Sequence, residues 1–184
     1  MANSYSSQII KDTTEHVVIK LTGKFDPDTP GGVVSQESNA HRIIANTLYG
    51  AKATNGYLVA NAWGGAANTT LNYYGLSLHR LWYDCGCTGD VELYWYATTP
   101  VPLMFLNGNG EYDGAGNWVT IPNNAKDTAG CNGDIQIVTR GMVANDSYTI
   151  VAEFRKHNEY YQRGHLTEPG AFNYGSDYAI GPQG

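Results

Sequence analysis

Charge, thiols and long apolar runs are all scarce in this chain, and each shortage excludes something. Asp, Glu, Lys and Arg supply 15% of the 184 residues, against about 25% in an average globular domain. The 11 basic and 17 acidic residues leave a net charge of -6. Acidity of that order repels phosphates and argues against nucleic acid as a partner. No stretch approaches the ~18 consecutive apolar residues of a membrane helix, so no membrane partner is expected. The opening MANSYSSQIIKDTTE lacks the basic-then-apolar pattern of a secretion signal, which points to synthesis in a cytoplasm. Cys85, Cys87 and Cys131 are the three cysteines. An odd, small number is not a disulfide framework, although a bond between Cys131 and one of the pair stays open at this level.

What the chain does have is glycine, 22 residues, and tyrosine, 14, within a composition that is 42% hydrophobic. Glycine forfeits roughly 1 kcal/mol per helical position and favours turns, so a helix-rich fold is excluded. The apolar share suffices for a core, and the length suits one domain with tails or insertions.

Period-two alternation places the strands. In 90–97, Val91, Leu93, Trp95 and Ala97 share one face, and Glu92, Tyr94 and Tyr96 the other. In 146–156, Tyr148, Ile150, Ala152 and Phe154 oppose Thr149, Val151, Glu153 and Arg155. Further strands are expected over 16–23, 41–48, 76–84, 102–107, 118–121 and 134–139. Turns rich in Gly, Asn and Asp separate them, at 84–89, 107–110, 113–116 and 141–146. About eight short strands of this kind predict an all-β, antiparallel β-sandwich with jelly-roll topology. The expected organisation is an N-terminal extension over 1–15, the sandwich over 16–156 with a long elaboration at about 26–75, and a C-terminal arm over 157–184. That arm is polar, with spaced aromatics at Tyr160, Tyr161, Phe172, Tyr174 and Tyr178. Such residues give large contact area for little rotamer entropy, so they are candidate partner-binding residues. Tyr94 and Tyr96 join them, as an aromatic pair on the strand face opposite the core.

Catalytic patterns are missing. Cys85-Gly-Cys87, with His79 nearby, invites zinc, but zinc normally takes four ligands and a wider cysteine spacing. His16, His41, His79, His157 and His165 stand in no nucleophile or metal motif. The acids of Asp26-Pro-Asp28 and Glu111-Tyr-Asp113 read as solvated turn residues. No catalytic residue, metal or cofactor is therefore assigned. Trp63, Trp82, Tyr83, Trp95 and Trp118, with Tyr94 and Tyr96, offer a sugar-stacking alternative, in which a surface glycan is the partner.

Several of these segments carry a resemblance. Leu76 to Tyr83 (LSLHRLWY), Val91 to Pro100 (VELYWYATTP), Gly133 to Thr139 (GDIQIVT) and Gly141 to Lys156 (GMVANDSYTIVAEFRK) resemble a family of small virion structural proteins of tailed bacteriophages. His16 to Gly23, leading into Phe25-Asp26, looks like that family's opening strand. The chain departs from the pattern over 39–74, at the Cys-Gly-Cys turn and in the tail. The resemblance implies a non-enzymatic capsid decoration, or cement, protein on the virion surface. Its partner would be the major capsid protein, and a homotrimer its assembly state. A tail or neck component and a carbohydrate-binding sandwich module are the alternatives.

Overall fold

The computed structural model describes residues 3–26, 34–38, 40–51, 73–114, 120–157 and 160–161. Among them are ten strands and, as helix, a single 3-10 turn at Ala45–Thr47. The strands are β1 (Ser4–Asp12), β2 (His16–Lys24), β3 (Ala40–Ile43), β4 (Leu76–Gly86), β5 (Asp90–Trp95), β6 (Val101–Leu106), β7 (Gly108–Asp113), β8 (Ile121–Pro122), β9 (Ile135–Arg140) and β10 (Ser147–Lys156). Every pairing is antiparallel. One sheet runs β1-β2-β10-β4-β7, with β8 also on β4, and the other runs β3-β9-β5-β6.

The all-β class and the alternation of the central strands are as expected. Val91, Leu93 and Trp95 of β5 are buried, as are Tyr148, Ile150, Ala152 and Phe154 of β10 and Val17, Ile19 and Leu21 of β2. Trp95 and Phe154 come from different sheets and meet edge to face, 6.1 Å between ring centres, so the inner faces of the two sheets share one core.

Four expectations are corrected. The extension over 1–15 holds a nine-residue strand, β1, paired with β2 through a turn in which Thr13 N–H and hydroxyl both donate to His16 O. The strand expected over 41–48 stops at Ile43, because the buried Asp134 carboxylate accepts Ala45 N–H at 2.7 Å and turns the chain into the 3-10 segment. The turn expected at 107–110 becomes strand from Gly108 onward, which also puts Glu111 and Asp113 on β7 rather than in a turn. Finally, Tyr160 and Tyr161 lie in the core rather than on an arm. Tyr161 hydroxyl donates to Ala45 O at 2.9 Å, and Tyr160 packs edge-on against Tyr73. The core thus runs past residue 156 to Tyr161, while Phe172, Tyr174 and Tyr178 lie outside the described residues.

Two glycines serve one device in this sheet. Tyr148 stands directly across from Gly23, and Tyr83 from Gly110, and each ring lies over the missing side chain of its partner. A Cβ on Gly23 would sit 2.3 Å from Tyr148 Cε1. The Tyr148 ring cannot yield, since it is buried and its hydroxyl donates to Glu37 at 2.8 Å. Gly23→Ala is therefore expected to cost about 1–3 kcal/mol in urea unfolding. Gly110→Ala should cost less, because Gly110 lies on the edge strand β7 and the Tyr83 ring over it is only half-buried. Equal losses at the two positions would contradict this account.

Candidate functional site

The outward face of the four-stranded sheet is built by the strand residues that the core does not take. Pairing puts His41 beside Gln136 and Tyr94, with Pro102 beyond, and Val138 beside Glu92 and Phe105. Both predicted tyrosines of β5 and its extension lie here, half-buried and held in place. Tyr94 hydroxyl donates to Glu92 at 2.8 Å, and Arg140 Nε reaches the other Glu92 oxygen at 2.9 Å. Tyr94 also meets Phe105 edge-on at 6.1 Å. Tyr96 packs against the His41 ring at 4.3 Å, and His41 Nδ1 lies 3.1 Å from the buried carboxylate of Asp134. Phe105, 61% exposed, is the most exposed large apolar residue of the described chain. Sequence alone does not single out Phe105 or Arg140, and it marks His41 only as a histidine outside any motif. Pro102 to Leu106 is apolar throughout and bulged against β5, so no local pattern places Phe105 outward, and nothing local marks His41 and Arg140 as its neighbours.

The other outward face carries charge and imidazole. His16 opens β2, Glu153 lies on β10 opposite Val18, and His79 lies on β4. β4 pairs Arg80 with Glu153 and Leu78 with Phe154, which leaves His79 as an extra, unpaired residue. Such a bulge turns two successive side chains to one face, and it brings His79 to the side of Glu153. Glu153 Oε1 stands 3.0 Å from His16 Nδ1 and 3.7 Å from His79 Nδ1. Burial lowers the His16 pKa against the opposing pull of Glu153, favouring the neutral ring. Trp82, 41% exposed, lies on the same sheet, whereas Trp95 is fully buried. Trp63 and Trp118 lie outside the described residues.

The remaining polar clusters are occupied by structure. Glu37 accepts from Tyr148 and pairs with Arg42, whose guanidinium covers the Tyr5 ring at 4.6 Å. Tyr5, Glu37 and Arg42, with Asn3, Asp26 and Gln36, line a cleft of about 520 Å³ whose charges are already paired, Glu37 with Arg42 and Asp26 with Lys24. The three thiols are free. Burial pushes Cys85 up to about 12 and Cys131 up to about 11, so both stay protonated at neutral pH and neither is a ready nucleophile or ligand. Compared with known protein families, with curated proteins and with solved structures, the chain matches none.

Proposed function

We propose that the chain is a non-enzymatic virion protein with a jelly-roll fold that binds the capsid lattice of a tailed bacteriophage from outside and stabilises it. The jelly-roll reading is supported by the strand partners. β2 with β10, β3 with β9, β4 with β7 and β5 with β6 form nested pairs. That nesting results when one long antiparallel hairpin, with β5 and β6 at its tip, rolls into two sheets.

The observation that carries the binding role is the outward face around Phe105. Phe105 is an exposed apolar ring that meets Tyr94 edge-on, Arg140 is held on Glu92 across from it, and Tyr96 continues the aromatic face along the strand. Tyr, Phe and Arg are the residue types enriched at interface cores. The tyrosines are already fixed by Glu92 and His41, so binding costs little further side-chain freedom. A shell packed with DNA is under outward stress, and a protein bridging neighbouring coat subunits adds interface where they would separate. A contact of ~1,600 Å² is enough for specific attachment. Three linked copies would release slowly even if each contact were modest. The tail beyond Tyr161, with Phe172, Tyr174 and Tyr178, is assigned a second contact with the coat.

The purified chain is expected to be a trimer by light scattering and to co-sediment with capsids of the phage that encodes it. Phe105→Asp should weaken attachment about thirtyfold, the equivalent of ~2 kcal/mol. Truncation after Tyr161 should keep the fold and reduce occupancy. Attachment of Phe105→Asp at wild-type strength, or a chain found only in the tail or neck of the particle, would overturn the decoration role. A stable monomer would remove the trimer. A glycan-binding module is the second reading, favoured by exposed Trp82. Glycan binding lost in Trp82→Ala and kept in Phe105→Asp would select it.

A further inference from the structure

The geometry points to a divalent metal site, suited to Zn²⁺, formed by His16, His79 and Glu153 on the outward face of the larger sheet. Three donor atoms from three adjacent strands lie within 4.8 Å of one another, and they are imidazole nitrogen and carboxylate oxygen, the set that binds zinc. Tetrahedral zinc with bonds of ~2.0–2.2 Å places its ligand atoms about 3.4 Å apart. The separations of 3.0 Å and 3.7 Å from Glu153 Oε1 to the two ring nitrogens bracket that value.

A second, independent observation is the state of the two nitrogens. Both Nδ1 atoms are shut off from solvent, and neither has a hydrogen-bond partner of ordinary geometry among the described residues. Glu153 Oε1 does not lie along the His16 N–H, and at 3.7 Å it is too far from His79 Nδ1 for a hydrogen bond. A buried imidazole nitrogen in that condition is costly unless something else satisfies it. A cation seated between the three groups accepts both ring lone pairs and the carboxylate at once. The bulge at His79 has the same consequence: in unbroken register two neighbouring residues of β4 would not both face outward, and the third ligand would be lost.

The ligand count also sets the class of site. Three protein ligands leave a fourth position open, so water or an incoming donor group completes the shell. Arg80, on the same sheet, is already paired with Asp113 at 3.0 Å, exposed Arg155 is cross-strand from His16, and Lys11 and Lys20 flank Val18, which pairs with Glu153. Glu15 adds negative charge beside His16. The ion would tie β2, β10 and β4 together across the outward face, opposite the core.

Isothermal titration of the whole chain with Zn²⁺ is expected to give one ion per chain at micromolar affinity or tighter. Zn²⁺ should raise the melting temperature, and chelator should reverse the rise. His79→Ala and the isosteric Glu153→Gln should each weaken binding at least about a hundredfold. Glu153→Gln, with unchanged circular dichroism, separates ligand loss from misfolding at the bulge. Co²⁺ in place of zinc should show visible d–d bands without thiolate-to-cobalt charge transfer. The proposal fails if wild-type chain binds no Zn²⁺ below millimolar, or if binding survives Glu153→Gln undiminished. It fails equally if the cobalt spectrum reports thiolate and Cys87→Ala abolishes binding. Zinc binding by the isolated chain does not depend on attachment to a capsid, so the two readings fail separately.

Discussion

Asp12→Ala is expected to destabilise the protein by about 3–5 kcal/mol, more than removal of the lysine that it serves. Lys156 ends β10 with its side chain fully buried, 0% exposed, and its ammonium pairs with Asp12 while donating to Thr13 O at 2.8 Å and Tyr49 O at 2.7 Å. Its charge also lies over the Tyr161 ring. Asp12 in turn accepts Tyr49 N–H at 2.7 Å, so one ion pair joins the β1–β2 turn, the 3-10 region and the end of the central strand. Deleting the carboxylate leaves a buried cation with neutral acceptors only. Burial already pulls the Lys156 pKa down even with its partner present. Lys156→Met removes the charge itself and leaves a partly exposed carboxylate that water can reach, so about 1–3 kcal/mol is expected. The double variant should lose less than the sum of the two. Equilibrium denaturation decides the order. A loss below about 1 kcal/mol for Asp12→Ala would show that the pair is not an anchor.

Stability is expected to collapse in alkali, beginning above about pH 9 and steepening beyond pH 10. In the unfolded chain thiols ionise near 9.0 and phenols near 10.0. In the folded chain burial raises Cys85 to about 12 and Cys131 to about 11 and lifts Tyr148 and Tyr161 well above the ordinary phenol range. Over that window the unfolded state holds fewer protons than the folded state, so stability falls as pH rises. Each group that stays protonated only when folded contributes about 1.4 kcal/mol per pH unit. Near pH 11 Cys85, Tyr148 and Tyr161 together give a slope of about 4 kcal/mol per pH unit. Lys156 acts in the opposite sense up to 10.5, because its folded form binds the proton less tightly. One such group does not offset three. Urea midpoints from about pH 8 to about pH 11 test this, and Cys85→Ala should flatten the upper slope by one group. A level profile across that range would mean that the phenols and thiols are not held in the core.

Legibility along the chain follows how local the cause is. β5 and β10 were readable because each has one buried and one outward face, and alternation records that division directly. β1 was not, because it lies at a sheet edge with both faces largely exposed, so Ser4 to Asp12 carries no hydrophobic period. The residues from Gly108 look like a turn by composition, and only pairing with β4 makes them strand. Tyr160 and Tyr161 read as arm residues for a similar reason. Their burial depends on Tyr73, Tyr74 and Ala45, which are more than eighty positions away.

The two outward faces divide in the same manner. Tyr94 and Tyr96 were visible as an aromatic pair opposite the core, but Phe105, His41 and Arg140 join them only through sheet register. His16, His79 and Glu153 were three unrelated residues until β10 came to lie between β2 and β4. No spacing rule covers ligands separated by 63 and 74 positions, and the bulge that turns His79 outward shows no sequence mark.

Scarcity of charge, abundance of glycine and tyrosine, and alternation were enough by themselves to determine an all-β chain and the inward residues of its central strands. These follow from the propensity and side-chain direction of single residues. Tertiary structure alone decided which strands are neighbours, where the core ends, and which outward side chains stand together. Those outcomes depend on pairing between distant segments, which local sequence does not encode.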